Sequence, residues 1–317
     1  MKEYDLIIVG GGIAGMTAAL AAAKENVEKI LMIEREEMLG GALNQCIFCG
    51  FGEEILDRKV TGPEYIYYLE ERLEKSSVEI KLGVSVLEIL EDKIVRYVSP
   101  DEGVVDIKGK AIIIATGCRE KYTGNIDIPT NSLVGVYTIG NANRTITLEG
   151  YMPGRRPVVV INSRWGLVVA RRIAIEGGKI QGLLIDNCEG FEFNEDDKDM
   201  MEDFNIPVIK NHKITKVYGK ERIQGVIIKD INTNEESKIK CDSLILSVGY
   251  FPEKGIVENL DLDINENTKS IQVKDYETSM PGVFACGNII YGIHALKKSG
   301  VNGLDAGLAA SRYIKNL

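Results

Sequence analysis

Histidine is scarce in this sequence: two residues among 317, at positions 212 and 294. No second Cys/His pair therefore accompanies Cys46-x-x-Cys49 to complete a tetrahedral metal site, and no metal is expected. The sequence shows no concentrated Lys/Arg stripe, and its formal net charge is −9, which argues against nucleic acid and anionic membrane surfaces as partners. Low-complexity tracts, heptad runs and repeats of 20–50 residues are missing too. The opening MKEYDLIIVGGG lacks the basic, apolar, small order of a signal peptide. The six cysteines, at 46, 49, 118, 188, 241 and 286, accordingly read as reduced thiols of a cytoplasmic protein. One mostly apolar stretch, 6–23, has the length of a membrane span. Its triple glycine and Thr17 make it a strand, turn and helix instead.

What is present fits a soluble chain of two domains, with 44% hydrophobic and 27% charged residues. Its 33 glycines fall largely in short clusters. The first cluster lies in LIIVGGGIAGMTAALAAAKENVEKILMIERE. An apolar strand runs directly into Gly10-x-Gly12-x-x-Gly15, an Ala-rich helix follows over 13–24, and a second strand, 29–33, ends in Glu34. Gly10 permits a tight turn, Gly12 lets a pyrophosphate approach the backbone, and Gly15 lets helix and strand pack closely. The phosphates would face the unpaired N–H groups of the helix N-terminus. Glu34, nineteen residues after Gly15, is placed to accept from a ribose.

Two further segments complete a pattern: KAIIIATGCRE (110–120), a buried strand ending in Ala115-Thr116-Gly117, and TSMPGVFACGNIIYGIHALKKSG (278–300), a turn, a strand at 283–286, Gly287-Asn288 and a helix from about 294. Together with the first unit they resemble the two-dinucleotide-domain flavoproteins of the pyridine nucleotide-disulfide oxidoreductase-like group. The resemblance spans nearly the whole chain. It implies an α/β fold of two Rossmann-like domains with three-layer ββα architecture and the size of a thioredoxin reductase. It implies a discontinuous FAD domain, 1–123 plus 242–317, and a central NAD(P)-binding-like domain, 124–241.

The resemblance also implies which residues hold FAD. Gly10, Gly12, Ile13, Ala14 and Gly15 take the pyrophosphate; Glu34 and Arg35 lie at the ribose; Gly41, Asn44 and Gln45 lie beside the isoalloxazine; Val86, Ala115, Thr116 and Gly117 line the dinucleotide. Gly287 and Asn288 meet the ribityl and phosphate groups, with Asn288 where an Asp is commoner, and an amide still hydrogen-bonds there. The helix after Ile293 would aim the N–H groups of Ala295 and Leu296, with His294, at the pyrimidine edge, where reduced flavin is negative. His294 reads as a cap or packing residue rather than a general base, and His212 as a solvated loop residue.

Finer motifs, LNQC, GFG, TGPEY (61–65), ATGCRE and EGYMPGR (149–155), are similar to those of FAD subunits in multi-subunit dehydrogenases of the hydrogen cyanide synthase, opine or proline dehydrogenase and anaerobic glycerol-3-phosphate dehydrogenase kinds. That likeness implies other dehydrogenase subunits, flavin or iron–sulfur proteins, as partners in a hetero- or homo-oligomer.

A second strand–loop–helix–strand unit, RPVVVINSRWGLVVARRIAIEGGKIQGLLID (156–186), repeats the rhythm of the first. Aligned on Gly166, it has Ile161 and Ser163 at the first two glycine positions. A β-branched Ile resists positive φ, and the Cβ of Ser163 intrudes where pyrophosphate should approach. The fold is expected to persist here and the NAD(P) site to be lost or weakened, although Asp186 still ends the second strand and Arg164 could reach a phosphate from the side.

Cys46 and Cys49 fill neither of the group's usual disulfide positions, so a redox pair near the flavin and thiols packed beside it both stay open. Cys118 and Cys286 read as small buried thiols, and Cys241 and Cys188, which end or precede strands, suggest no further role. The acidic run NEDDKDMMED (194–203) reads as a solvated helix with an apolar side of Met200, Met201 and Phe204. Three functions follow: an FAD subunit passing electrons between flavin and a partner's redox centre in an amino acid, hydroxy acid or glycerol-3-phosphate dehydrogenase; a standalone NAD(P)H-dependent flavin or disulfide reductase using Cys46 and Cys49; or a structural subunit whose FAD is a fixed support.

Overall fold

The computed structural model describes residues 1–123, 128, 130, 132–185, 192–291 and 299–317. The chain forms two compact units, Met1–Arg119 with Tyr250–Leu317, and Glu120–Gly249.

The first unit opens with β1 (Lys2–Val9), α1 (Ile13–Lys24) and β2 (Ile30–Ile33). Leu6, Ile7 and Ile8 are fully buried, as the unbroken apolar run of a strand covered on both faces requires. A short antiparallel ribbon follows, β3 (Cys49–Phe51) and β4 (Val60–Thr61), with α2 (Glu53–Leu56) between them. α3 (Gly62–Glu74) starts at a capping box in which Thr61 and Glu64 satisfy each other's backbone N–H. β5 (Val78–Lys81) returns parallel to β2. β6 (Ser85–Leu90), β7 (Ile94–Ser99) and β8 (Gly103–Ile114) form a meander whose last strand runs parallel to β1, Lys2↔Ile107 to Val9↔Ile114. β9 (Cys118–Glu120) ends this half.

The second unit contains β10 (Val136–Thr138), α4 (Ile139–Thr147), β11 (Pro157–Ile161), α5 (Arg164–Ile175), β12 (Gly182–Ile185), α6 (Glu195–Asp203) and β13 (Val208–Ile209). A three-stranded antiparallel layer follows, β14 (His212–Gly219), β15 (Ile223–Asp230) and β16 (Glu236–Lys240), and then β17 (Ser243–Ser247). The parallel sheet has the order β10-β17-β11-β12-β13. Asn194 caps α6, which lays Met200, Met201 and Phe204 on the core, as its sequence suggests.

Back in the first unit, β18 (Tyr250–Pro252) pairs with β9, β19 (Val283–Ala285) adds to β8, and α7 (Ser299–Lys315) closes the chain. One apolar cluster packs α1, α3 and α7 on one face of the sheet; another packs Val95, Tyr97 and Ile271 on its other face. This is the expected three-layer α/β architecture, with two Rossmann-like sheets.

The structure corrects two expectations. The units divide at 119/120 and 249/250, not at 123/124 and 241/242, because β17 is an inner strand of the second sheet, hydrogen-bonded to β10 and β11. His212 opens β14 rather than lying in a loop, with its Nδ1 2.7 Å from the Lys210 carbonyl.

α1 and α7 approach so closely that a Cβ on Gly303 would overlap the Ala14 carbonyl and the Thr17 hydroxyl. Gly303→Ala is therefore expected to cost about 2 kcal/mol by overpacking, read as a lower urea midpoint at unchanged slope; an unchanged midpoint would show that the helices part freely.

Candidate dinucleotide site

The glycine loop of the first unit is built from contacts that exclude side chains at two positions and leave a third open. Gly10 has φ +111° and donates to the Ile33 carbonyl at 2.9 Å, and a Cβ there would overlap the Ala115 carbonyl. A Cβ on Gly15 would overlap the carbonyl oxygen of Gly10. A Cβ on Gly12 would meet nothing within 4 Å. Gly12 is the N-cap of α1, no side chain caps the helix, and its first turn carries no acid. Bare N–H groups at Ile13, Ala14 and Gly15 thus face an open, uncharged space, which suits a pyrophosphate.

Glu34, only 7% exposed, closes this loop from below. Its Oε2 accepts from Gly11 N at 2.6 Å and its Oε1 from Glu36 N at 2.9 Å. Each carboxylate oxygen keeps a second lone pair, enough for a ribose hydroxyl. Arg35 places Nη1 3.9 Å from the Glu253 carboxylate, which also pairs with Arg119. Glu253 is in turn fixed to the ATG turn, for Thr116 Oγ1 donates to its carbonyl at 2.7 Å and its N–H donates to Gly117 O at 3.0 Å. No local motif marks Glu253; its role depends on contacts more than a hundred residues away.

Two further segments expected at a cofactor lie against the same loop, residues 40–45 and Gly287. Gly40 N donates to Gly11 O at 2.8 Å, which sets the 3₁₀ turn Gly41–Gln45 beside Gly12. Asn44 Nδ2 donates to Leu39 O at 2.7 Å and fixes that turn; Gln45 is half-buried. Gly287, with φ +74°, lies against Ala14, and the Asn288 carbonyl accepts from Cys118 Sγ at 3.0 Å. Ala115 lies at the end of β8, and Gly117 has φ +74° and open space at its Cβ. Val86 lies in β6, packed on the far-face cluster; the backbone contact with Glu34 is made by Val84, whose N–H donates to the Glu34 carbonyl at 3.0 Å. His294, Ala295, Leu296, Asp186 and Cys188 lie outside the described residues.

The second unit follows the same plan at the start of its helix. Ser163 is the N-cap of α5 as Gly12 is of α1, and Gly166 lies three residues on, as Gly15 does. Ile161 remains in extended strand where Gly10 turns, and its Cγ2 occupies the space above Gly166. Ser163 Oγ rests 3.4 Å from Ser247 Oγ. Arg164 Nε donates to Asp197 Oδ1 at 2.5 Å, an anchor buried to 2% exposure that the acidic composition of this stretch concealed. α5 still has no side-chain cap and no acid in its first turn.

The thiols differ sharply. Cys46 is buried, donates to the Ala42 carbonyl at 3.3 Å, and is pushed up to about 12 by desolvation. Burial pushes Cys118, Cys241 and Cys286 up to about 12 as well. Cys49 is exposed on β3. Among the described residues no group of three or more His, Cys, Asp or Glu is arranged to hold a metal, and no helix is long and apolar enough to cross a membrane.

Two outcomes follow. Gly12→Val should leave the melting temperature of the flavin-free protein within about 2 °C while lowering FAD affinity at least tenfold, whereas Gly15→Ala should destabilise the flavin-free protein by about 2 kcal/mol; equal damage by both would remove the cradle. A raised thiol keeps its proton in the folded chain after the unfolded chain has lost it. Stability should therefore be complete below the ordinary thiol value of 9.0 and fall as pH rises from there toward 12, and iodoacetamide at pH 8 should label Cys49 well before Cys46.

Comparison with known proteins agrees with this geometry. The chain is 23% identical over 303 residues to an alkyl hydroperoxide reductase component of Staphylococcus aureus, covering 91% of this chain and 54% of that protein, so it spans about half the length of that relative. The fold matches T. acidophilum thioredoxin reductase (TM-score 0.77, 22% identity, 100% and 99% of the two chains) and bacillithiol disulfide reductase from Bacillus cereus (0.80, 19%, 99% of each). It also matches L-proline dehydrogenase from P. horikoshii (0.68, 20%, 99% of this chain and 55% of that one). The model of one family, pyridine nucleotide-disulphide oxidoreductase, matches residues 4–303, and the chain therefore belongs to that family and is an FAD-dependent oxidoreductase.

Proposed function

We propose that this chain is a self-contained FAD-dependent reductase, supplied with electrons by a weakly held nicotinamide nucleotide at its second unit and delivering them to a disulfide or similar small acceptor. The observation that carries the reading is the α5 N-terminus, which has no side-chain cap, no acid in its first turn and the third glycine, Gly166, still in place although the first two positions are Ile161 and Ser163. The likeness of fold to thioredoxin and bacillithiol disulfide reductases supports it over the dehydrogenase subunit that the finer motifs suggest.

When bound, FAD supplies the two-electron redox chemistry. The chain supplies placement. Gly12 and the α1 N-terminus hold the pyrophosphate, Glu34 the ribose, Gly41, Asn44 and Gln45 the ring, and Gly287 with Asn288 the ribityl chain. In the second unit the Ser163 Cβ holds a pyrophosphate away from the helix N–H groups, which weakens binding without closing the site. Cys49, the exposed thiol, is the one an external disulfide can reach, while burial keeps the Cys46 thiol protonated.

Anaerobic titration tests this. NADH or NADPH should bleach the flavin with a dissociation constant of about 1 mM, and Ser163→Gly should tighten it roughly tenfold, about 1.4 kcal/mol. A specific observation favours a second reading: Ile161 and Ser163 depart from the nucleotide fingerprint in the manner of a chain fed by a partner subunit, as in a multi-subunit dehydrogenase. Flavin that dithionite bleaches but about 5 mM of either nucleotide leaves oxidised would replace the first reading with this one.

A further inference from the structure

Residues 144–181 carry seven Lys or Arg and two Asp or Glu, in a chain whose formal net charge is −9. The fold of the second unit places three of these cations, Arg155, Arg156 and Lys179, at the end of the parallel sheet where β11 and β12 begin. Lys179 N donates to Arg155 O at 2.7 Å and Gln181 N to Pro157 O at 2.8 Å, which joins the loop after α4 to the turn after α5. Met152 reaches across to Gly178 in that turn.

This loop is held firmly from beneath. The Asp242 carboxylate accepts from Arg155 N at 3.0 Å and Arg156 N at 2.8 Å. Arg222 donates Nη2 to Pro153 O at 2.6 Å and Nε to Asp242 O at 3.0 Å. Tyr151 N donates to Thr145 O at 2.9 Å, and Gly154 is pressed so closely on Ser243 and Asp242 that no side chain fits. Exposed on and beside the loop are three large apolar side chains. Tyr151 is 71% exposed, Leu148 43%, and Ile175, at the end of α5, 53%. Arg155 and Lys179 are exposed with no ion-pair partner among the described residues, whereas Arg156 Nε lies 4.0 Å from Asp242 Oδ2.

A preorganised tyrosine flanked by arginines and aliphatic side chains has the composition of an interface hot spot, because its ordering cost is already met by the fold. The EGYMPGR motif gains a purpose here that nucleotide binding does not give it. We propose that this face docks an acidic protein partner, seating an apolar side chain at Leu148, Tyr151 and Ile175 and carboxylates against Arg155, Arg156 and Lys179. Charge selects the partner: like charge opposes pairing of this face with itself, and an acidic chain is attracted over a Debye length of about 8 Å at physiological salt. This inference does not rest on the reading of the redox site.

The test uses the full-length flavin-loaded chain and fluorescein-labelled 15-residue Glu/Asp-rich peptides, with and without a central Phe, read by anisotropy. The Phe peptide should bind, and weaken at least tenfold on passing from about 20 to 300 mM NaCl. Arg155→Glu with Lys179→Glu should weaken it at least tenfold. Tyr151→Ala should reduce the Phe peptide to the affinity of the Phe-free one, with flavin content and melting temperature unchanged in both variants. Absence of binding at about 1 mM peptide would overturn the proposal, as would equal binding of a Lys-rich peptide. Tighter binding of an RNA oligonucleotide would replace it with a polyanion surface, and light scattering showing a dimer abolished by Tyr151→Ala would replace it with a self-interface.

Discussion

The carbonyl oxygen of Gly10 occupies the place that a Cβ on residue 15 would need, and the first unit is organised around that contact. Strand β1 can hand over to helix α1 in three residues only if residue 10 turns at positive φ and residue 15 has no side chain. The short handover puts the helix N-terminus directly above the strand ends. Glu34, Ala115 and Gly287 then converge on it because β2, β8 and β19 all pair in register around β1 and β8.

The second unit separates what that glycine pattern does for the fold from what it does for a ligand. Gly166 persists, and its reason is visible: the Ile161 Cγ2 fills the space a side chain would take. Helix and strand therefore still need the third glycine. The first two are free to change because no backbone contact in the second unit demands them. A degenerate fingerprint of this kind preserves the scaffold and relaxes the grip on phosphate, and for that reason affinity, rather than architecture, is where the two units should differ.

Much of this was legible in the residues themselves, and what was not has a common cause. The β1–α1–β2 unit, the N-cap of α3 and the apolar side of α6 depend on neighbours within a few positions, so their signals survive in a linear string. The ownership of β17 does not: SLILS is an apolar strand under any reading, and only its pairing with Pro157–Ile161 assigns it to the second sheet. His212 looked like a loop residue because the antiparallel partner that extends it, Asp230, lies eighteen positions on. Glu253 and Asp197 were hidden for the same reason, since the arginine that each one pairs with is distant in sequence.

The acids of this chain show how a protein of net charge −9 keeps its interior neutral in effect. Glu34 accepts from Gly11 and Glu36, Glu120 from Gly140, Asp197 from Asn194, and Asp242 from Arg155 and Arg156, in every case through backbone N–H groups. Each carboxylate fixes a loop or a helix start that glycine or polar residues would otherwise leave loose. Lone pairs committed in this way serve geometry rather than proton transfer, and Glu120, raised by burial, still accepts from the start of α4. The thiols behave in the opposite sense, for burial holds Cys46, Cys118 and Cys286 protonated and leaves Cys49 as the accessible sulfur of the first unit. The described surroundings of the cradle thus contribute position and a helix N-terminus, which suits a flavin that carries its own redox chemistry.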